Sequence, residues 1–264
     1  MRLMHLVCLV GILAVTGCTT VRRGQAPELM LNTAAPVGFR SDIRYVSTDP
    51  KAIKSRFSEI LQRRHAASKD TALNILALSG GGAGGSFGAG ALVGFSRHGK
   101  RPQFDIVTGV SAGALIAPFA FLGSAWDAQL DDNFSGGHSE RFLVSRGISI
   151  LFSPGVYQSE PLVEFVDHFV TDEMIQEVAA QAALGRLLLV ATTDLDKEET
   201  VIWDMGQVAA HGGEAARALF RDVLVASASI PGVFPPIIIH VESEGVRYDE
   251  MHVDASATVP FFVA

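Results

Sequence analysis

Cysteine is nearly absent from this chain. Its 264 residues include two cysteines, Cys8 and Cys18, and both lie within the first 18 positions. The rest of the chain therefore has no thiol that could act as a nucleophile, form a disulfide or bind a metal ion. No cluster of other ligand residues in the sequence indicates a metal site, and we expect no cofactor.

Charged residues are also scarce, at 19% of the chain. The 28 acidic residues outnumber the 21 basic ones, and the basic residues are scattered along the sequence. Proteins that bind nucleic acid present a basic surface to the phosphates, so we do not expect nucleic acid as a partner. The hydrophobic content of 48% is enough for a large buried core in one domain.

The first 18 residues have the pattern of a cleaved leader. Arg2 gives a positive start, and the apolar run from Leu3 to Val15 is too short for a comfortable membrane span. The sequence AVTGC that follows resembles the lipobox of bacterial lipoproteins, in which Cys18 would be lipidated. We therefore predict a signal peptide at 1–18 and a protein held at a membrane of the bacterial cell envelope through Cys18. A plain secretory signal in which Cys18 has no role is the alternative.

Residues 19–70 are predicted to form a tether followed by one helix. The first part mixes polar residues, proline and glycine without periodicity. Asp49-Pro50 suits the start of a helix. Apolar residues then fall on one helical face. They are Ile53, Phe57, Ile60 and Leu61.

Two strand–loop–helix units follow at the start of the main domain, which we place at 71–264. The apolar run LNILAL at 73–78 precedes a glycine loop and a stretch of small and apolar residues. The run FDIVTGV at 104–110 precedes a second helical stretch, AGALIAPFAFLG. Such alternation is typical of an α/β fold with a mostly parallel sheet and helices on its faces.

Ser111 lies at the turn between the second strand and its helix. In the sequence GVSAG, Gly109 and Gly113 leave little bulk on either side of it. Such a turn lifts a hydroxyl clear of the sheet and close to the N-terminus of a helix. The pattern predicts a nucleophile at Ser111, and an ordinary turn that happens to contain serine is the alternative.

The loop after the first strand is rich in glycine. Its glycines are Gly80, Gly81, Gly82, Gly84 and Gly85. The loop matches the dinucleotide pattern G-x-G-x-x-G, but no acidic residue ends a second strand at the distance that pattern requires. Backbone amides of such a loop can instead stabilise a developing oxyanion, and the serine turn that follows favours this interpretation. Tight packing alone is the third possibility.

A serine nucleophile needs a neighbour that takes its proton. His211, His240 and His252 follow Ser111 in the chain, so a Ser-His-acid triad is possible. His240 and His252 lie in apolar, strand-like runs, where a hydrogen-bonded structural histidine is the more frequent finding.

Asp254 is the stronger candidate for that proton acceptor. In MHVDASAT it ends a predicted strand and is followed by small residues, so its carboxylate is not obstructed. A turn-capping aspartate would show the same pattern. Asp194 and Asp196 also end a strand, but the polar run after them favours an exposed hairpin.

These motifs together resemble the patatin-like phospholipases over roughly 72–260. SGGGAGG resembles the oxyanion loop of that family, GVSAG its nucleophile turn, and VDAS the segment that carries its catalytic aspartate. The resemblance implies a three-layer α/β/α fold and a Ser-Asp dyad without a catalytic histidine. Ser111 would then be the nucleophile and Asp254 its base.

The chain departs from the pattern of that family in three places. The glycine that usually follows the aspartate is Ala255, which would strain a turn that needs positive φ. A basic residue often present in the loop is Gly84 here. The sequence stops ten residues after Asp254, where members of the family usually continue, and a truncated C-terminus is one interpretation.

The predicted function is hydrolysis of acyl esters, with lipids as substrates. Ser111 would attack the ester carbonyl while Asp254 takes its proton, and an acyl-enzyme would then be hydrolysed. The alternatives are a membrane-anchored scaffold that has lost its activity and a Ser-His-Asp esterase. The segment 124–158, rich in glycine, serine and phenylalanine, is the candidate for a lid.

Overall fold

A computed structural model describes most of the chain after the leader. The described residues are 23–27, 30, 33–47, 49, 51, 54–55, 58, 62, 72–134 and 159–263. The predicted leader with Cys18, the predicted apolar helix face at Ile53, Phe57, Ile60 and Leu61, and residues 135–158 of the predicted lid lie outside them. Within the described part, no helix has the length and hydropathy needed to span a bilayer.

The described residues form an α/β fold with one sheet. Its strands are β1 (Ala35–Pro36), β2 (Arg44–Val46), β3 (Ile75–Leu78), β4 (Ile106–Gly109), β5 (Leu187–Asp194), β6 (Glu199–Asp204), β7 (Ile237–Ser243) and β8 (Val246–Asp254). The helices are α1 (Gly85–Arg97), α2 (Ala112–Leu122), α3 (Asp127–Phe134), α4 (Glu160–Phe169), α5 (Asp172–Ala183), α6 (Met205–His211) and α7 (Gly213–Ala228). The strand order is β1-β7-β8-β5-β4-β3, and β6 pairs with both β5 and β2.

The prediction of a mostly parallel sheet is wrong. Only the pairings β3–β4 and β4–β5 are parallel, and every other pairing among the described strands is antiparallel. For β5–β6 and β7–β8 the reason is a short hairpin connection, since parallel strands need a long crossover between them. The strands β7 and β8 are joined by Glu244 and Gly245, which both have positive φ, as in the two-residue turns that suit twisted hairpins.

The helices pack against one face of the sheet. Buried residues from each helix named above join one apolar cluster with Val107, Leu188 and Trp203 of the strands. Residues that alternate with these, such as Ile106 and Leu187, point to the other face and form a separate cluster. That second cluster holds no residue of the described helices, so the three-layer arrangement stays a prediction.

Helix α2 occupies the centre of the helical layer. Its sequence AGALIAPFAFL is apolar on all sides, and every residue from Ala112 to Phe121 is buried. A helix without a polar face is stable only inside a protein. The N-terminus of α2 is therefore fixed against the sheet, and Ser111 immediately precedes it.

Candidate active site

Ser111 lies between the end of β4 and the start of α2. Its φ of 56° and ψ of −128° fall outside the conformations that residues with a side chain usually adopt. Such a conformation costs about 1–3 kcal/mol and persists only where the surroundings enforce it, which is typical of active sites. The residue is buried.

The two glycines beside Ser111 allow the chain to turn in very little space. A β-carbon at Gly113 would lie 2.7 Å from the carbonyl oxygen of Ser79 and closer still to that of Leu78. A β-carbon at Gly109 would lie 2.7 Å from the α-carbon of Ala114. Side chains at these positions would push α2 away from β3 and β4, and Ser111 would move with it.

Asp254 is fully buried at the end of β8. Its Oδ1 accepts a hydrogen bond of 2.8 Å from the amide of Ser256. Its Oδ2 has no hydrogen-bond partner among the residues that the structure describes, although it is shielded from solvent. A buried carboxylate oxygen without a donor is costly, and a catalytic role is one explanation for such an atom.

The sheet places the end of β4, which precedes Ser111, next to the end of β8, which carries Asp254. Strand β6 pairs along one edge of β5, so β4 and β8 share the other edge. Gly109 at the end of β4 lies opposite Val190, and Asp254 at the end of β8 lies opposite Thr192. The two strands therefore meet end to end, about 7 Å apart along β5 at the usual rise per residue.

The end of helix α7 contacts both residues. The Ser111 amide donates a hydrogen bond of 3.1 Å to Oγ of Ser227, and the Asp254 amide donates one of 2.9 Å to the carbonyl oxygen of Ser229. The short segment from Ser227 to Ser229 therefore fixes the backbone of Ser111 relative to that of Asp254. Neither Ser227 nor Ser229 is predicted from the sequence, where their signal is a cluster of small hydroxyl residues before Pro231.

The glycine loop packs directly against Ser111. A β-carbon at Gly80 would lie 3.1 Å from that of Ser111 and 3.6 Å from that of Ser256, so a side chain at this position would press tightly against Ser111. A β-carbon at Gly85 would lie 3.1 Å from that of Ala112. The loop predicted to bind an oxyanion therefore lies beside the hydroxyl that would attack.

The loop amides are not all available to a ligand. The amide of Gly80 donates to the carbonyl oxygen of Pro260 at 3.2 Å, and the amide of Gly84 donates to Gly81 at 2.9 Å. No described residue accepts a hydrogen bond from the amides of Gly81 or Gly82. If the loop binds an oxyanion, these two amides are the best-placed donors.

The substitution at Ala255 does not strain the turn after Asp254. Ala255 is absent from the residues with positive φ and begins a short 3₁₀ helix, Ala255–Ala257. Its side chain is buried against Val110 and Ala191, at the point where β4 and β8 meet. An alanine therefore fits where the pattern of the resembled family has glycine.

None of the three candidate histidines is hydrogen-bonded to Ser111. His240 is exposed and pairs with Asp249 at 2.7 Å. His211 is exposed and its ring lies 4.3 Å from that of Phe39. The buried His252 contacts Oγ1 of Thr192 at 2.9 Å through Nδ1.

A buried group of charged residues surrounds His252. Carboxylate oxygens of Asp194 and Glu250 lie near its ring, and these three residues could in principle hold a metal ion. Arg44 and Lys197 already pair with Glu250, and Lys197 also lies 3.3 Å from Oδ2 of Asp194. Because these cations would repel a metal ion, the group fits an internal ion network better.

The pKa of Glu250 shows that this network stabilises the charged form of its carboxylate. Burial alone would raise it, but hydrogen bonds and charge from His252 and Arg44 outweigh burial and hold the pKa of Glu250 well below its usual range. Asp194 is buried in the same network and Asp196 pairs with Arg23, so the prediction that these aspartates lie in an exposed hairpin is wrong. Asp194 and Asp196 do lie at the hairpin between β5 and β6, but their side chains are buried there.

Comparison with models of known protein families gives a match over most of the chain. A family model described as patatin-like phospholipase matches residues 76–264, most of the chain. The matched region contains the glycine loop, the serine turn and the strand that ends at Asp254. A search of curated proteins found no significant match.

Proposed function

Because the chain belongs to the patatin-like phospholipase family, we propose that it hydrolyses acyl esters of lipids with Ser111 as nucleophile and Asp254 as general base. Membership of the family supports a lipid hydrolase. The assignment of the two residues rests on the convergence of the ends of β4 and β8 on one edge of β5.

In the first half of the reaction, Oγ of Ser111 attacks the ester carbonyl carbon. Its proton passes to Oδ2 of Asp254, directly or through one water molecule, while Oδ1 stays bonded to the Ser256 amide. The carbonyl oxygen becomes an oxyanion that the amides of Gly81 and Gly82 stabilise. The ester C–O bond then breaks, the leaving alcohol takes the proton back from Asp254, and the acyl group remains on Ser111.

In the second half, water hydrolyses the acyl-enzyme. Asp254 takes a proton from the water as its oxygen attacks the acyl carbon, and the same loop amides stabilise the second oxyanion. Cleavage of the bond to Oγ releases the fatty acid and returns the proton to Ser111. Each half needs one proton acceptor, and the Oδ2 atom without a partner suits both.

The two alternative functions have less support. A Ser-His-Asp esterase needs a histidine beside the serine, but the three candidates bind elsewhere. Of the two departures that favour an inactive scaffold, Ala255 and the short C-terminus, the turn accommodates Ala255 without positive φ.

Anchoring at a membrane of the bacterial cell envelope is a second part of the proposal. It rests on the leader and on the sequence AVTGC, which together predict acyl chains on Cys18. Mass spectrometry of the mature N-terminus tests it. An unmodified Cys18, or a terminus at another residue, would contradict it.

Labelling with a fluorophosphonate tests the nucleophile. The wild-type chain is expected to react once and to cleave p-nitrophenyl butyrate, whereas Ser111→Ala should do neither. Ser96→Ala is the matched control, because the hydroxyl of Ser96 bonds to Leu92 within helix α1. Full labelling of the Ser111→Ala variant would refute the assignment.

Replacing Asp254 with asparagine tests the base. The amide oxygen can still accept the hydrogen bond from Ser256, but the side chain can no longer take a proton. We expect turnover of p-nitrophenyl butyrate to fall by about 10²-fold or more with the melting temperature nearly unchanged. Turnover at the wild-type rate would rule out Asp254, and a comparable loss in His252→Ala without unfolding would favour the triad.

A further inference from the structure

Four buried polar side chains form a hydrogen-bonded row next to Asp254. Nε1 of Trp203 lies 2.8 Å from Oγ1 of Thr192, which in turn lies 2.9 Å from Nδ1 of His252. Nε2 of His252 lies 3.3 Å from Oε2 of Glu250. All four side chains are fully buried, so each proton in the row needs an acceptor inside the protein.

The donor and acceptor roles are fixed at both ends of this row. The indole N–H of Trp203 can only donate, so Oγ1 of Thr192 accepts it. At the other end, burial raises the pKa of Glu250, but hydrogen bonds and charge from His252 and Arg44 outweigh burial and hold it well below its usual range. The carboxylate is therefore ionised and can only accept, so Nε2 of His252 carries a proton and donates it.

The proton on Nε2 determines what Nδ1 of His252 does. The ion network around the ring contains two acidic and two basic residues. They are Asp194, Glu250, Lys197 and Arg44. Their charges balance when the imidazole is neutral, and a neutral imidazole has a single N–H. Nδ1 is then an acceptor, and the hydroxyl proton of Thr192 is donated to it.

Thr192 is the residue of β5 that lies directly opposite Asp254 in β8. Opposed residues of antiparallel strands project from the same face, with their β-carbons about 4.5–5.5 Å apart. A threonine hydroxyl at that distance is within reach of the carboxylate. Nevertheless, Oδ2 of Asp254 has no hydrogen-bond partner among the residues that the structure describes. The row accounts for this, because the one hydroxyl proton of Thr192 is donated to His252.

We propose that Trp203, Thr192 and His252 together keep Oδ2 of the candidate base available to accept a proton. This inference rests on the proposed function, in which that oxygen takes the proton of Ser111. A hydroxyl that donated to Oδ2 would compete for its lone pairs and stabilise the charged carboxylate, which would make it a weaker base. His252 prevents this competition by accepting the proton of Thr192. It is thus a positioning residue that acts through Thr192.

A double-mutant cycle at Thr192 and His252 tests the proposal. The full chain is assayed on p-nitrophenyl butyrate at pH 8, where free imidazole is neutral. His252→Leu removes the acceptor and leaves the hydroxyl of Thr192 to donate to Asp254, so we expect kcat to fall about tenfold. Thr192→Val removes the hydroxyl itself, so adding His252→Leu to that variant should lower kcat no further. Thermal unfolding followed by circular dichroism shows whether each variant is folded.

Two further variants serve as controls for the cycle. His252→Asn offers an amide oxygen close to the position of Nδ1, so it should restore most of the turnover that His252→Leu loses. His240→Leu is the matched control for the loss of a histidine. His240 is exposed and pairs with Asp249, so this variant should turn over at the wild-type rate.

Three outcomes of the cycle would overturn the proposal. The first is wild-type turnover in His252→Leu. The second is a loss of the same size when His252→Leu is added to Thr192→Val, and the third is a loss of that size in His252→Asn. In the last two cases His252 would act through its own proton, as in a triad, or through packing. Absence of ester cleavage by the wild-type chain shows, separately, that the proposed function is wrong.

Nitrogen NMR of the wild-type chain tests the proton positions without any variant or substrate. The eight histidine side chains are labelled with ¹⁵N. The ring of His252 is identified by its contact with the ring of Trp203, whose centroid lies 5.5 Å away. We expect a proton on Nε2 and none on Nδ1 at pH 8. A proton on Nδ1 would overturn the proposal, because Thr192 would then accept from both neighbours and keep its own proton for Asp254.

Discussion

Replacing Gly113 with alanine tests how closely the turn at Ser111 packs against the sheet. The new β-carbon would lie 2.7 Å from the carbonyl oxygen of Ser79 and closer still to that of Leu78. Both neighbours are backbone atoms at the end of β3, and β3 is held by its pairing with β4. Neither atom can move without disturbing the sheet, so α2 must shift instead.

The expected cost follows from that overlap. Overpacking a buried position typically costs 1–3 kcal/mol, and we expect about 3 kcal/mol because the clash is with backbone. For a domain of this size each kcal/mol shifts the melting temperature by roughly 2–4 °C, so Gly113→Ala should melt about 6–12 °C below wild type. The shift of α2 also moves Ser111, so ester cleavage should fall in the fraction that remains folded.

Gly90→Ala is the matched control for this substitution. Gly90 lies in helix α1, and a β-carbon added there would have no neighbouring atom within 4 Å outside its own helix backbone. An alanine there should stabilise the helix by about 0.5–1 kcal/mol. Thermal unfolding followed by circular dichroism measures both variants. If Gly113→Ala melts as high as Gly90→Ala, the close packing of the turn is refuted.

Two further predictions concern polar groups in the interior. Ser227→Ala leaves the amide of Ser111 buried without an acceptor, which should lower the free energy of unfolding by about 1–3 kcal/mol and reduce kcat on a soluble ester; urea unfolding that matches wild type would contradict this. Glu250→Gln leaves Arg44 buried without its charged partner, at a cost of about 3–5 kcal/mol at neutral pH. Because His252 and Arg44 hold the pKa of Glu250 below the ordinary 4.5, its contribution is present above that pH and is lost as the pH falls further. Glu250→Gln should therefore lose less stability than wild type on acidification, and parallel loss in urea titrations at falling pH would argue against the network.

Local sequence patterns predicted the elements that carry the serine. The apolar run before Gly109, the small residues around Ser111 and the apolar stretch after it are properties of neighbouring positions, and the structure has β4, the turn and α2 there. The glycine loop is of the same kind, because a strand precedes it and a helix follows it. In each case the strand, the loop and the helix are consecutive in the chain, so the pattern of neighbouring residues is enough to predict them.

Sheet direction could not be predicted in the same way. The alternation of strands and helices up to α2 indicates parallel pairing, and this holds for β3, β4 and β5. Later strands follow each other through short turns, and Glu198, Glu244 and Gly245 adopt positive φ there. Two of these residues are glutamates, which are not typical of such turns. The residue pattern therefore does not predict the hairpins.

The antiparallel part of the sheet is also what brings together the end of β4, which precedes Ser111, and the end of β8, which carries Asp254. In a wholly parallel sheet, the ends of two strands beside β5 would lie on its two edges, with β5 between them. Because β8 runs in the opposite direction, it approaches β4 end to end on a single edge, and Asp254 and Gly109 lie opposite residues of β5 that are two positions apart. Ala191 lies between those positions and packs with Val110 and Ala255, so small and β-branched side chains fill the junction. The end of β8 that carries Asp254 therefore lies on the same edge of β5 as the end of β4, and the width of the sheet does not separate the two strand ends.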